Sequence, residues 1–100
     1  MKTVFFVGMN KLALKASQEL QDAIEETKNL LLETAKGYSL SRVETAWINN
    51  AGRSCEEIVL KFEVHGLSDG EAKVIGAQLR DSFEQECVLV ERFETGVQFI

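Results

Sequence analysis

The sequence predicts an α+β domain whose elements follow in the order strand, helix, strand, strand, helix, strand. Three observations predict this order. Two segments place apolar residues three and four positions apart, as one buried face of a helix requires. Two further segments alternate apolar and polar residues on either side of a glycine-containing turn, as the strands of a hairpin do. Short β-branched and aromatic runs, typical of strands, lie near both ends of the chain.

A strand and a long helix make up the predicted first third of the chain. Thr3 to Met9 is rich in β-branched and aromatic residues and favours a strand. The next segment carries apolar or small residues on one helical face: Leu20, Ala23, Ile24, Thr27, Leu30, Leu31 and Thr34. Ser17 is the predicted N-cap of this helix, while Lys36 and Gly37 supply the cation and the C′ glycine that commonly end one.

The middle of the chain predicts a β-hairpin. One face of its first strand carries Val43, Thr45 and Trp47, and the other carries Arg42, Glu44 and Ala46. Residues 49–52, with the sequence NNAG, make the turn. The second strand has an apolar face of Ile58, Leu60, Phe62 and Val64, expected to face the core.

A second helix and a last strand complete the predicted order. Ser68 and Glu71 have the spacing of a capping box, so a helix begins there. Its buried stripe is Ala72, Ile75, Gly76, Leu79 and Phe83, with Gly76 allowing close approach to the sheet. Cys87 to Phe93 is the final predicted strand. Val97 to Ile100 either continues it past a glycine bulge or returns as a short edge hairpin.

This order is the split βαβ, or ferredoxin-like, pattern, in which two right-handed crossovers place both helices on one face of a four-stranded antiparallel sheet. Residues 1–100 therefore form one predicted domain. The second sheet face stays uncovered and carries Val59 among charges, together with Phe5 and Val7, or Phe6, depending on the register of the first strand. A mixed apolar face of this kind is readily buried by a second copy, so we expect a homodimer.

Composition excludes several classes of protein. The 100 residues are 45% hydrophobic and 27% charged, as in an ordinary globular domain, and carry a net charge of −5, which argues against binding of free nucleic acid. No signal peptide or membrane span is recognisable, so we expect a cytoplasmic protein with no membrane partner. Cys55 and Cys87 lack the spacing of zinc or redox pairs and are expected to be reduced, partly buried thiols. No metal or cofactor motif is present.

Three motifs carry a resemblance to a known family. Trp47, Gly52 and Glu57 are spaced five residues apart, residues 83–89 read F-x-Q-x-x-V-L, and the first strand contains FFVG ending at Gly8. The segment from Gly37 to Leu89 resembles an uncharacterised family of small bacterial proteins catalogued only as a domain of unknown function. This resemblance implies the ferredoxin-like fold, singles out Glu57, and implies no activity.

Weak candidates for catalysis are His65, Tyr38 and Glu57. His65 is the one residue whose ordinary pKa lies near neutrality, and it would act as a general base beside Glu63 or Lys61. The competing interpretation is a half-exposed histidine at the end of a strand. For Glu57 the competing interpretation is one carboxylate of a solvated acidic face.

Trp47, Arg42 and Arg53 are the predicted binding residues, because tryptophan, tyrosine and arginine concentrate binding energy at interfaces. They would line a shallow pocket or anchor an interface. The competing interpretation is that Trp47 packs against the long helix.

Two hypotheses for function follow. The first is a non-catalytic binding module acting as a homodimer, one version being an acidic inhibitor that presents Glu25, Glu26, Glu84 and Glu86 where a nucleic-acid-binding enzyme expects phosphates. The alternative is a small cofactor-free enzyme of the dimeric α+β barrel kind, with a pocket between sheet and helices and with His65, Tyr38 or Glu57 moving protons.

Overall fold

In the described part of the chain, four strands and two helices follow in the predicted order: β1 (Lys2–Gly8), α1 (Ser17–Ala35), β2 (Ser39–Ile48), β3 (Ser54–His65), α2 (Asp69–Ser82) and β4 (Leu89–Phe93). This computed structural model describes residues 1–9 and 17–94. The strands form one antiparallel sheet in the order β2-β3-β1-β4. The predicted ferredoxin-like arrangement is therefore confirmed.

The core lies between the two helices and one face of the sheet. β1 pairs with β3 so that Phe5 is opposite Phe62 and Val7 is opposite Leu60. These four side chains are completely buried and belong to the same cluster as the apolar stripes of both helices. Side chains alternate along a strand, so Phe6 points to the other face. The register left open by the sequence thus places Phe5 and Val7 inside and Phe6 outside.

Ile58 departs from the predicted core face. It has the same parity as Leu60, Phe62 and Val64, yet 43% of its surface is exposed. β1 ends at Gly8, opposite Val59, so Ile58 pairs with Glu44 of β2 alone and lies beyond the three-stranded part of the sheet. The prediction that Ile58 belongs to the core is wrong for this reason.

The predicted beginning of α2 is confirmed, and the predicted end of α1 is corrected. The capping box of α2 is confirmed, since Ser68 Oγ accepts from the Glu71 amide at 3.1 Å and Glu71 Oε1 accepts from the Ser68 amide at 2.9 Å. That bond from the Ser68 backbone holds the pKa of Glu71 below its ordinary value. After α1, Lys36 takes the left-handed conformation at φ 65°. The prediction that Gly37 takes it is wrong, because the turn begins directly after Ala35.

The start of β4 also differs from the prediction. The first pair between β1 and β4 joins Phe6 to Leu89, so the strand begins two residues after Cys87. Cys87 is exposed rather than partly buried, while Cys55 is partly buried, and both thiols are free. The proposed continuation at 97–100 and the N-cap role of the Ser17 side chain lie outside the described residues.

Gly76 brings α2 close to the sheet, as predicted. A Cβ at this position would lie 3.3 Å from Cγ2 of Val90 on β4. Such a contact is tighter than ordinary van der Waals packing, so the missing side chain sets the distance between α2 and β4.

Arg92 ties β4 to β1 and to the beginning of α2. Its Nε donates to the hydroxyl of the fully buried Thr3 at 3.2 Å, its Nη1 donates to Asp69 at 3.0 Å, and its Nη2 donates to the carbonyl of Leu67. The planar guanidinium reaches all three acceptors at once, which a lysine ammonium on a flexible stem does not reproduce.

Replacing Arg92 by methionine should lower the free energy of unfolding by about 2 kcal/mol, because the Thr3 hydroxyl and the Leu67 carbonyl lose their donor. Urea denaturation followed by circular dichroism measures this change. Arg42→Met is the matched control, since Arg42 is exposed on β2 and forms no side-chain bond within the described part of the chain. Equal stability of the two variants would contradict the role given to Arg92.

Candidate functional site

The sheet face opposite the helices, called the open face below, carries charged, apolar and aromatic side chains from all four described strands. Register and strand alternation place these residues on it: Lys2, Val4, Phe6 and Gly8 of β1; Val43, Thr45 and Trp47 of β2; Glu57, Val59, Lys61 and Glu63 of β3; Leu89, Glu91 and Phe93 of β4. Neither helix packs on this side. The open face is therefore the side of the described sheet on which several strands present side chains away from the core.

An apolar patch crosses the middle of the open face. Val43 pairs with Val59, and Phe6 pairs with Leu89, so these four side chains occupy two neighbouring rungs across the four strands. We call them the open-face patch. Val59 is buried among its neighbours, whereas 57% of Leu89 is exposed at the edge of the sheet. The patch therefore leaves apolar surface in water.

Charged side chains border this patch on one side. Lys61 Nζ lies 2.8 Å from Glu63 Oε1, and Lys2 Nζ lies 3.4 Å from Glu63 Oε2. The hydrogen bond from Lys61, helped by Lys2, holds the pKa of Glu63 below its ordinary value despite partial desolvation. Lys61 also stands 5.9 Å from the centre of the Phe6 ring, within the range of a cation–π contact. The open face thus presents both signs of charge beside apolar surface.

Trp47 lies at the far end of the open face. It pairs with Cys55 in the two-stranded part of the hairpin, residues 44–48 and 54–58, which extends past the end of β1 and is called the ribbon below. The side chain is 47% exposed. The interpretation that Trp47 packs against the long helix is wrong, because Trp47 points to the face away from both helices.

The two predicted arginines lie at different places: Arg42 is on the face of β2 opposite to Trp47, and Arg53 is in the hairpin turn. Arg42 pairs with the core residue Leu60 and so points to the opposite side of β2. Arg53 sits in the exposed turn, where its backbone is held by Asn49: its carbonyl accepts at 2.9 Å and its amide donates to Asn49 Oδ1 at 3.0 Å. Trp47 and Arg42 thus share no face of β2, and a role for any of the three in binding stays a prediction.

The three weak catalytic candidates fall at two ends of the sheet. His65 and Tyr38 line one open groove of about 350 Å³ together with Glu63, where β2 begins and β3 ends. Glu57 lies eight residues earlier on β3, about 26 Å away at the usual rise of a strand. The structure brings His65 and Tyr38 together and leaves Glu57 at a separate site.

Glu57 instead meets two residues that sequence reasoning passed over. A Cβ on Gly8 would lie 2.2 Å from Glu57 Oε1 and 2.8 Å from Gln85 Oε1, so both oxygens occupy the space that a side chain at position 8 would fill. Gly8, Glu57 and Gln85 come from three different segments of the chain. Each lies in one of the three motifs quoted for the family resemblance, of which the sequence reasoning singled out Glu57 alone.

The carboxylates of the inhibitor hypothesis do not share one groove. Glu26 lines a groove of about 400 Å³ between the two helices with Glu33 and Asp81. Glu86 lines a different groove, between α2 and β4.

No group of three or more histidine, cysteine or carboxylate side chains within residues 1–9 and 17–94 is arranged to hold a metal ion. Neither described helix is long and apolar enough to cross a membrane.

Comparison with known proteins adds the fold and no activity. No protein-family model matches the chain, and no curated protein matches it. A phage SAM lyase in complex with S-methyl-5′-thioadenosine is similar, with a TM-score of 0.60 and 19% identity over 89% of this chain and 76% of that chain. A CutA1 mutant from Pyrococcus horikoshii has a TM-score of 0.62 at 9% identity, over 99% of this chain and 87% of that chain.

A DUF3240 family protein from Shewanella baltica is also similar, with a TM-score of 0.52 and 10% identity over 98% of this chain and 96% of that chain. At such identities these likenesses concern the backbone, since one fold hosts many unrelated activities. The chain therefore shares the ferredoxin-like fold with a phage SAM lyase, a CutA1 protein and a DUF3240 family protein.

Proposed function

We propose that this protein is a non-catalytic binding module that works as a homodimer, in which the open face of one subunit covers the open face of the other. The observation that carries this proposal is the open-face patch. Phe6 and Val59 lie at its centre, and Leu89 exposes more than half of its surface at the edge. Apolar surface that crosses four strands on a small domain is a common site of self-association.

The charges on the open face suit a second copy. A two-fold axis brings one surface against itself, so a face carrying one sign of charge would repel its copy. This face carries Lys2 and Lys61 beside Glu63 and Glu91. Both signs are present near the patch although the whole chain carries a net charge of −5. Opposite charges are therefore available to meet across the dimer axis.

Trp47 extends this proposal to a ligand or partner protein. It stands on the ribbon, beyond the patch and beyond the end of β1. Two subunits joined through their patches would leave a groove bordered by the ribbons, with an exposed aromatic ring at its rim. Tryptophan in such a position commonly supplies binding energy. We propose that this groove between subunits is the place where a partner or ligand is held.

Leu89→Glu tests the dimer, because it puts an unpaired carboxylate into the patch at a position exposed enough to leave the monomer folded. We expect the dissociation constant of the dimer to rise about tenfold or more, measured by sedimentation equilibrium. Val74→Glu on α2 is the matched control, since Val74 is 61% exposed and lies away from the open face. A wild-type protein that stays monomeric at high concentration would overturn the proposed dimer.

A small cofactor-free enzyme is the second candidate, and one observation favours it. The groove of about 350 Å³ brings His65 and Tyr38 to the same ligand-sized space, with Glu63 at its wall. An imidazole and a phenol within reach of one molecule are groups that transfer protons in enzymes. The similar phage protein, a SAM lyase, is an enzyme on this fold.

Proton NMR tests this second candidate, because the chain has a single histidine, a single tyrosine and a single tryptophan. With SAM as the probe, we expect the His65 and Tyr38 ring signals to shift with saturation. Tyr38→Leu should weaken binding about tenfold. The Trp47 indole signal, at the other end of the sheet, serves as the internal control. His65 and Tyr38 signals that stay in place would count against a SAM-binding enzyme.

A further inference from the structure

We propose that Glu57 and Gln85 form a site for a cation that carries N–H groups, a guanidinium or a primary ammonium, above the bare backbone of Gly8. The proposal goes beyond the binding module described above and needs one subunit only. Its basis is the convergence of two side-chain oxygens from distant segments on one point. Glu57 Oε1 and Gln85 Oε1 lie 2.2 and 2.8 Å from the position that a Cβ on Gly8 would take.

Gln85 presents its oxygen because its amide nitrogen is already engaged. Nε2 donates to the Phe83 carbonyl at 3.0 Å, which turns Oε1 toward Gly8. The backbone of the same residue is held by a bond from its amide to the Arg80 carbonyl at 2.8 Å. The preceding Glu84 takes the left-handed conformation at φ 54°, which turns the chain out of α2. The acceptor is thus fixed before any ligand arrives.

Glu57 is held by its strand and keeps its carboxylate available. Thr45 Oγ1 donates to the Glu57 backbone carbonyl at 3.0 Å, across the β2–β3 pair. No donor or cation bonds to the carboxylate within the part of the chain that the structure describes. The other polar atom near the Cβ position of Gly8, Gln85 Oε1, is also an acceptor. Two acceptors that face the same space need a donor between them, and a carboxylate needs a positive one most.

The two acceptor oxygens of Glu57 and Gln85 suit some cations better than others. Ca²⁺ is usually held by several protein oxygens, more than one carboxylate and one amide supply, and no group of three potential ligands occurs within the described ranges. A guanidinium places parallel N–H groups against neighbouring oxygens, and a primary ammonium offers three donors. The buried Val59 beside Gly8 adds an apolar wall for the carbon next to the charged group.

Methylguanidinium and N-methylurea are the test pair, because they share a planar shape, and the urea has a neutral carbonyl acceptor in place of one amino group of the charged guanidinium. The chain labelled with ¹⁵N is titrated with each compound while the Gly8 amide and the Gln85 side-chain amide are observed. We expect saturable shifts with methylguanidinium and binding about tenfold weaker, or none, with the urea. Equal responses to the two compounds would overturn the proposal.

Glu57→Gln should weaken methylguanidinium binding about tenfold or more, since it keeps the shape and removes the charge. Glu56→Gln is the matched control: Glu56 is the preceding residue on β3 and points to the opposite face. An unaltered affinity in Glu57→Gln would overturn the site. Gln85→Leu is a second variant that removes the other acceptor, and it should weaken binding as well.

A further variant, Arg53→Gln, distinguishes between possible sources of the cation. If the cation is Arg53 of a second copy, Arg53→Gln should weaken self-association and strengthen methylguanidinium binding. If it is a free ligand or another protein, Arg53→Gln should change neither. Repeating the titration on the Leu89→Glu variant keeps the two proposals distinct. If the variant still binds methylguanidinium, the Glu57–Gln85 site is supported even where the dimer is absent. If the variant no longer binds it, the result counts against a site within one subunit.

Discussion

The pairing of β1 with β3 is the constraint on which the rest of the structure depends. With Phe5 opposite Phe62, every odd residue of β1 faces the helices and every even residue faces away. A slip of one residue would exchange the two sets, because the side-chain period of a strand is two. The same register buries Thr3 where Arg92 reaches it, and so orients the beginning of α2 against the sheet. Core, open face and helix position are all consequences of one alignment.

The length of β1 is the second determinant, since it separates the sheet into two regions. Where β1 is present, β3 is a central strand and its apolar face is covered by helices. Past Gly8, β2 and β3 continue as the two-stranded ribbon, and apolar side chains such as Trp47 and Ile58 stay exposed. A two-stranded ribbon gains little stability alone. In the function proposed above, its exposed residues serve binding rather than folding.

Gly8 lies at the boundary between these two regions, and its lack of a side chain lets polar groups gather at this boundary. The absent side chain leaves room for the oxygens of Glu57 and Gln85, one from β3 and one from the turn after α2. The open-face patch and this pair of oxygens lie on the same side of the sheet, yet they suit different occupants: apolar surface for the patch and a cation for the oxygens. A binding module that associates through one and selects a ligand through the other is consistent with both.

Local patterns along the chain were enough to predict the order of elements, the hairpin turn, the capping box of α2 and the close approach at Gly76, because each depends on side-chain periodicity or on contacts within a few residues. The family resemblance singled out Glu57 and did not show that it meets Gly8 and Gln85. Tertiary structure alone decided that Ile58 lies outside the core, that Trp47 faces away from the helices and that Glu57 is far from His65. These outcomes depend on where β1 ends and on which strands are neighbours, and such long-range pairings leave no local trace in the chain.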